Sequence, residues 1–137
     1  MPQSAYRLRR RVQFHEVDGA GLVHFSCFFR YMEEAEHALW RAAGLSIAAP
    51  DAHVGFPRVA ATCDYLAPLR FEDEFDVHVR VETVSRRSIR YAHVIRRGET
   101  RIATGALTVA CVGHTPGSPF RAIDIPKEIA ARLRSSA

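Results

Sequence analysis

Between Ser26 and Gly44 the chain reads SCFFRYMEEAEHALWRAAG, and Phe28, Met32, Ala35, Leu39 and Ala42 recur at i, i+4, i+7, i+11 and i+14. That spacing returns to one side of an α-helix every turn, so the segment predicts a single helix with one apolar stripe. Ser26 is placed to cap its first turn and Gly44 to end it at C′, while Arg30, Glu33, Glu34, Glu36, His37 and Arg41 supply mostly polar positions between. At about 1.5 Å per residue the helix would run roughly 27 Å, enough to cross a small domain.

Elsewhere β-branched and aromatic residues alternate with polar ones, and the breaks carry Pro, Gly or acidic clusters. This pattern predicts strands near 6–14, 57–67, 73–84, 88–97 and 101–113. Arg97-Gly98-Glu99 signals a hairpin between the last two. A loop is expected from His114 to Pro119, and a short terminal helix from about Pro126, since proline tolerates a first helical turn. One helix with that much sheet must lie on one sheet face, which gives a two-layer α+β domain spanning residues 1–137. Such an open sheet leaves edges, and one helix hardly covers a curved face. A dimer at least is expected.

The chain has 137 residues, 47% of them hydrophobic, which suits one compact core. Its N-terminus, MPQSAYRLRR, lacks the apolar run of a signal peptide, and no stretch approaches the ~20 apolar residues that span a bilayer. A cytoplasmic location away from membranes is the expectation. Cys27, Cys63 and Cys111 are odd in number, far apart and without zinc-site spacing, so they read as buried thiols and no metal or cofactor is expected. The net charge is +4, and Lys127 is the only lysine among 19 basic residues. Arginine forks bind phosphate in a bidentate manner, so an anionic partner fits.

The segment from Phe14 to Phe25, FHEVDGAGLVHF, gathers two carboxylates, two imidazoles and two glycines just ahead of the helix. Glycine lets backbone approach a ligand closely, and the unpaired N–H groups of a helix start can stabilise charge on a reacting oxygen. Each residue also has a plainer reading. Asp18-Gly19 is a common turn, Glu16 reads as solvated, His24 reads as capping or packed, and Glu33 and Glu34 read as a solvated helix face. From these residues alone the loop is a candidate site without a named reaction.

The run FHEVDGAGLVHFSCFFRYMEEAEHALWRAAG resembles the signature of the 4-hydroxybenzoyl-CoA thioesterase family, and Asp18 falls on the family's catalytic aspartate. Cys63-Asp64-Tyr65-Leu66-Ala67-Pro68-Leu69-Arg70 with Glu72-Asp73, and Arg121-Ala122-Ile123-Asp124-Ile125-Pro126, resemble its second strand and closing segment. The resemblance implies a hot-dog fold, a long helix wrapped by a five-stranded antiparallel sheet, in dimers that often pair into tetramers. It implies an acyl-CoA thioesterase with its site at the dimer interface. Asp18 would attack the thioester or activate water, and the Phe25 N–H would polarise the carbonyl. Arg86, Arg87 and Arg121 would contact the phosphates of coenzyme A, although each also reads as a solvated arginine.

Two positions depart from the family pattern. Cys27 stands where relatives commonly carry Asn, and His24 stands where an aromatic or apolar residue is common. His24 could add a proton-transfer group, and Cys27 could be suspected as a nucleophile because a helix N-terminus lowers a thiol pKa. Neighbouring Phe28 and Phe29 favour packing for Cys27. A hot-dog dehydratase or hydratase using His24 with Asp18 is one alternative. A non-catalytic module binding acyl-CoA or nucleic acid is another, although the aromatic and basic interleaving of an RNA-binding sheet is missing. The remaining Arg7, Arg9, Arg10 and Arg11 read as a charged strand edge.

Overall fold

The computed structural model describes residues 4–49, 52–113 and 117–134. Strand β1 is Ala5–Arg11, helix α1 is Cys27–Ala42, and strands β2 to β8 are Val54–Gly55, Arg58–Tyr65, Glu74–Val84, Ser88–Arg97, Thr100–Ala110, Val112–Gly113 and Arg121–Ala122. Helix α2, Lys127–Leu133, follows Pro126. Five strands form one antiparallel sheet in the order β1-β4-β5-β6-β3, and β2-β7-β8 form a small second sheet. This is the α+β hot-dog arrangement, with α1 lying along the inner face of the large sheet.

Alternation decides which side chains face the helix. Phe75, Val77 and Val79 of β4 and Ile89, Tyr91 and Ile95 of β5 are buried, against Phe28, Tyr31, Met32, Ala35, Leu39 and Trp40 of α1. Burial of each large apolar side chain contributes about 1.5–3 kcal/mol, so this seam holds the two layers together. Gly105 on β6 lies beneath Met32, and a Cβ there would come within 2.3 Å of its Cε and 2.6 Å of the Thr62 carbonyl. Only glycine permits that close approach. Gly98 adopts φ 60° and turns the two-residue hairpin between β5 and β6.

The helix stripe holds for Phe28, Met32, Ala35 and Leu39, but Ala42 is exposed and Ala43 is buried in its place. The last turn tightens, with the Ala43 N–H shared between the Leu39 and Trp40 carbonyls, and this rotates the end of the stripe by one residue. Gly44 then takes φ 79°, donating to Arg41, while the Leu45 N–H donates to Trp40 in a Schellman motif. Ser26 does not cap. Its backbone is already helical, and its hydroxyl meets the His24 ring at 2.7 Å.

The first strand ends at Arg11 rather than residue 14, because Phe14–Glu16 forms a 3-10 turn. The last strand breaks at Cys111, and Val112–Gly113 leaves to pair with β2 and β8. Of the expected loop from His114 to Pro119, residues 114–116 lie outside the described residues. Cys27 and Cys111 are buried and Cys63 is half-buried. Among the described residues no helix is long and apolar enough to cross a membrane.

Candidate active site

Ahead of α1 the chain folds back on itself. Val17 bridges Val23, the Asp18 N–H donates to the Leu22 carbonyl at 2.7 Å, and the His24 N–H donates to the Glu16 carbonyl at 2.8 Å. Residues 16–24 are therefore a short hairpin that turns at Gly21, where φ is 81°. The Val23 N–H donates to the Leu69 carbonyl at 2.9 Å, which ties the hairpin to the segment between β3 and β4.

Asp18 is exposed on this hairpin. Its Oδ1 accepts the N–H groups of Ala20 at 2.8 Å and Leu22 at 3.1 Å, so the turn-forming role is real. Its Oδ2 makes no hydrogen bond to a described residue. One oxygen orients the carboxylate while the other stays open for chemistry.

Glu16 is not solvated, as its alternation along the chain suggested. It is 6% exposed and accepts bonds from Arg10 Nη1 and the Gln13 N–H at 2.8 Å and from the Tyr31 hydroxyl at 2.9 Å, with Arg10 Nη2 at 2.7 Å from its second oxygen. Burial alone would raise its pKa, but the bonds from Arg10, Gln13 and Tyr31 outweigh it and hold the carboxyl below its ordinary value. Arg10 accordingly turns inward from the charged strand edge, with its carbon over the Tyr31 ring at 4.7 Å and its Nε donating to Glu34 at 2.8 Å. The 3-10 turn causes this, since it swings Glu16 under the hairpin. The three-residue spacing of Gln13 and Glu16, a capping box, is the sequence signal for it.

At the helix start, His24 Nδ1 accepts the Ser26 N–H at 3.3 Å, and the exposed imidazole lies 4.6 Å from the Phe25 ring. The Phe25 N–H has no partner among the described residues. Its carbonyl accepts the Tyr65 hydroxyl at 2.9 Å, a contact between residues forty apart that sequence reading missed. Burial pushes the Cys27 thiol pKa up, opposite to what a thiolate nucleophile needs.

Beside this turn opens a cleft of about 290 Å³ lined by Leu22, Phe25, Phe28, Tyr65, Leu66 and Pro68 among others, with no charged side chain in its wall. It could take an apolar group whose reacting carbon sits near the hairpin. A larger hollow of about 500 Å³ lies against β1, β4 and β5 and contains none of the candidate residues.

Asp18, His24 and Phe25 are thus brought together, but Arg86, Arg87 and Arg121 are not brought to them. The two turn arginines follow the far end of β4, which runs eleven residues, roughly 33 Å at about 3.3 Å per residue, from the Asp18 end. There Arg86 and Arg87 flank Asp124 at 3.2 and 2.9 Å, and the Arg87 bond holds the Asp124 carboxyl below its ordinary pKa. Arg121 lies on β8, three residues before Asp124. On α1, Glu33 and Glu34 are exposed but ion-paired with Arg58 and Arg10, whereas Glu36, expected among the polar positions, is fully buried. No group of three His, Cys, Asp or Glu side chains among the described residues is arranged to hold a metal ion.

Comparison with known proteins matches residues 12–133 to the thioesterase-like superfamily. A relative in Aquifex aeolicus (strain VF5), provisionally named an esterase, is 32% identical over 127 residues, covering 92% of this chain and 95% of its own. The crystal structure of a hypothetical protein from Aquifex aeolicus superposes with a TM-score of 0.87 and 31% identity, over 94% of this chain and 99% of that one. The 4-hydroxybenzoyl-CoA thioesterase of Pseudomonas sp. (strain CBS-3) is 21% identical over 129 residues, 88% of this chain and 92% of its own. Fold and sequence agree, and the chain belongs to the thioesterase-like superfamily.

Proposed function

We propose that this protein hydrolyses acyl-CoA thioesters to a free carboxylic acid and coenzyme A, with Asp18 as the catalytic carboxylate. Membership of the thioesterase-like superfamily supports thioester hydrolysis, and the relative that acts on 4-hydroxybenzoyl-CoA supports coenzyme A as the thiol half. The observation that carries the site is an Asp18 oxygen left open on the hairpin and, just past the hairpin beside an apolar cleft, a Phe25 N–H with no partner among the described residues. The acyl group would enter the cleft and its carbonyl oxygen would accept from the Phe25 N–H, aided by the positive end of α1. Asp18 either adds to the carbonyl carbon, forming an anhydride that water then opens, or takes a proton from the water that adds. In both routes the C–S bond breaks and the thiolate leaves. His24, exposed beside Phe25, would relay a proton. The chain's own residues supply each of these roles without a cofactor.

A dimer built on β3 completes the reading. β3 lies at the sheet edge with most of its length exposed, including Val59 at 62% and Tyr65 at 47%. Antiparallel pairing of two such edges about a two-fold axis would set the Arg58 end of one copy beside the Tyr65 end of the other. That brings the Arg86, Arg87 and Arg121 end of one copy toward the Asp18 end of its partner, where the phosphates of coenzyme A need cations. Pairing of dimers into a tetramer fits the same scheme. The protein would act as one domain in the cytoplasm, without nucleic acid or membrane.

The test is thiol release from a panel of acyl-CoAs by wild type and Asp18→Asn. Turnover should fall at least about a hundredfold in the variant with its unfolding midpoint unchanged. Near wild-type turnover in Asp18→Asn defeats the assignment.

A further inference from the structure

We propose that Tyr65 is a positioning residue for the oxyanion contact, fixing the backbone on which the Phe25 N–H is carried; this rests on the role of Phe25 given above. Phe25 lies between two peptide planes. The plane before it carries the His24 carbonyl and the Phe25 N–H, which point in opposite directions across a trans peptide. The His24 carbonyl accepts the Cys27 N–H at 2.9 Å, so the Phe25 N–H is aimed away from the first helical turn. The plane after it carries the Phe25 carbonyl, whose donor is the Tyr65 hydroxyl at 2.9 Å.

Little else holds this turn to the sheet. Phe25 is 64% exposed, and the Ser26 hydroxyl and N–H are both engaged with His24 of the same turn rather than with the sheet. Tyr65, in contrast, is well anchored. It pairs with Ala103 of β6, its ring meets Phe28 edge-on at 5.1 Å, and the next two N–H groups, of Leu66 and Ala67, both donate to the Ile102 carbonyl. A donor that stabilises a transition state works only if its direction is set before the reaction begins. Without the hydroxyl the peptide after Phe25 is held only by the long Ser26 N–H bond to His24 Nδ1 at 3.3 Å, so the turn loses its tie to β3 and the Phe25 N–H, directed by the His24–Cys27 bond, rides on a looser support.

The experiment compares wild type with Tyr65→Phe, which keeps the ring that lines the cleft. Thiol release from one acyl-CoA gives kcat and KM, and NMR gives the Phe25 carbonyl 13C shift in both proteins. We expect kcat about tenfold lower with KM within about twofold, together with an upfield move of the Phe25 carbonyl resonance. Wild-type kcat, or an effect confined to KM, overturns the positioning role. An unmoved carbonyl resonance overturns it as well, because the hydroxyl then does not hold that peptide in solution. If wild type cleaves no acyl-CoA, the hydrolase reading fails and the oxyanion role of Tyr65 fails with it. The carbonyl resonance would still separate that outcome from the absence of the Tyr65 tie.

Discussion

Glu16 and Glu36 are both withdrawn from water, yet the molecule provides for them differently. Beneath the hairpin, Glu16 receives Arg10 on both oxygens, a backbone N–H and the Tyr31 hydroxyl. At mid-helix, Glu36 Oε1 lies 2.6 Å from Arg58 Nη2 and the Tyr91 hydroxyl also interacts with this carboxylate, but no backbone N–H among the described residues reaches it. Nearby His93 is 1% exposed with the Met32 backbone as its hydrogen-bond partner, and the adjoining Tyr91 hydroxyl accepts from Trp40 Nε1. A saturated set of directed bonds resists rotation, whereas an ion pair with fewer directed bonds constrains direction less. The rigid network underlies the segment that presents Asp18 and Phe25. The loosely bonded one lies between helix and sheet, where packing already fixes the backbone.

The largest test of this difference is a matched pair of substitutions. Glu16→Gln should cost about 3 kcal/mol of stability, because glutamine keeps one acceptor oxygen but loses the charge and turns an amide NH2 toward Arg10 Nη2; Glu34 and solvent at Arg10 keep the loss at the low end for a broken buried pair. Glu36→Gln should cost only about 1 kcal/mol, since Arg58 keeps Glu33 at 2.9 Å. Urea denaturation measures both. A larger loss at Glu36 would reverse the comparison.

Acid should expose the mid-helix region first. Burial lowers the His93 pKa to about 4, below its ordinary 6.5, with the Arg58 charge acting in the same direction. The unfolded chain therefore binds that proton before the folded one does. Stability from the neutral ring is complete above about pH 6.5 and falls by roughly 1 kcal/mol per pH unit until about pH 4. Glu16, whose folded pKa is lowered, contributes in the same sense only below its ordinary value of 4.5. His93→Leu should flatten the loss between pH 6.5 and 4.5 in unfolding midpoints. An unchanged slope would assign the loss to another group.

The smallest effect concerns the helix start. Because the Ser26 hydroxyl contacts His24 and caps nothing, Ser26→Ala should cost under about 0.5 kcal/mol, against about 1 kcal/mol for loss of a true cap. Calorimetry distinguishes the two, and a loss near the larger value would restore Ser26 as a cap.

Much of the fold was legible in the sequence. The stripe of Phe28, Met32, Ala35 and Leu39, the β5 boundaries at 88 and 97, Gly44 and Gly98 all rest on local periodicity or on a backbone conformation that one residue type favours. The nearness of Asp18, His24 and Phe25 was legible for the same reason, since the first two share a nine-residue hairpin and Phe25 follows it directly. Local pattern failed at Glu16, Ser26 and Glu36. In each case the partner that decided the outcome, whether Arg10, the His24 ring turned toward the hydroxyl, or Arg58 from the edge strand, depends on how the chain is folded around the residue.

By itself, the sequence determined which segments are helix or strand, which faces are apolar, and where a carboxylate meets a helix start. Only the tertiary structure decided that Tyr65 reaches back forty residues to the Phe25 carbonyl, and that the arginine turn lies at the opposite end of the sheet from Asp18. Periodicity encodes which way a side chain faces within its own element. Contacts between elements depend on strand order and register, which arise only when the helix and all five strands close on a shared core.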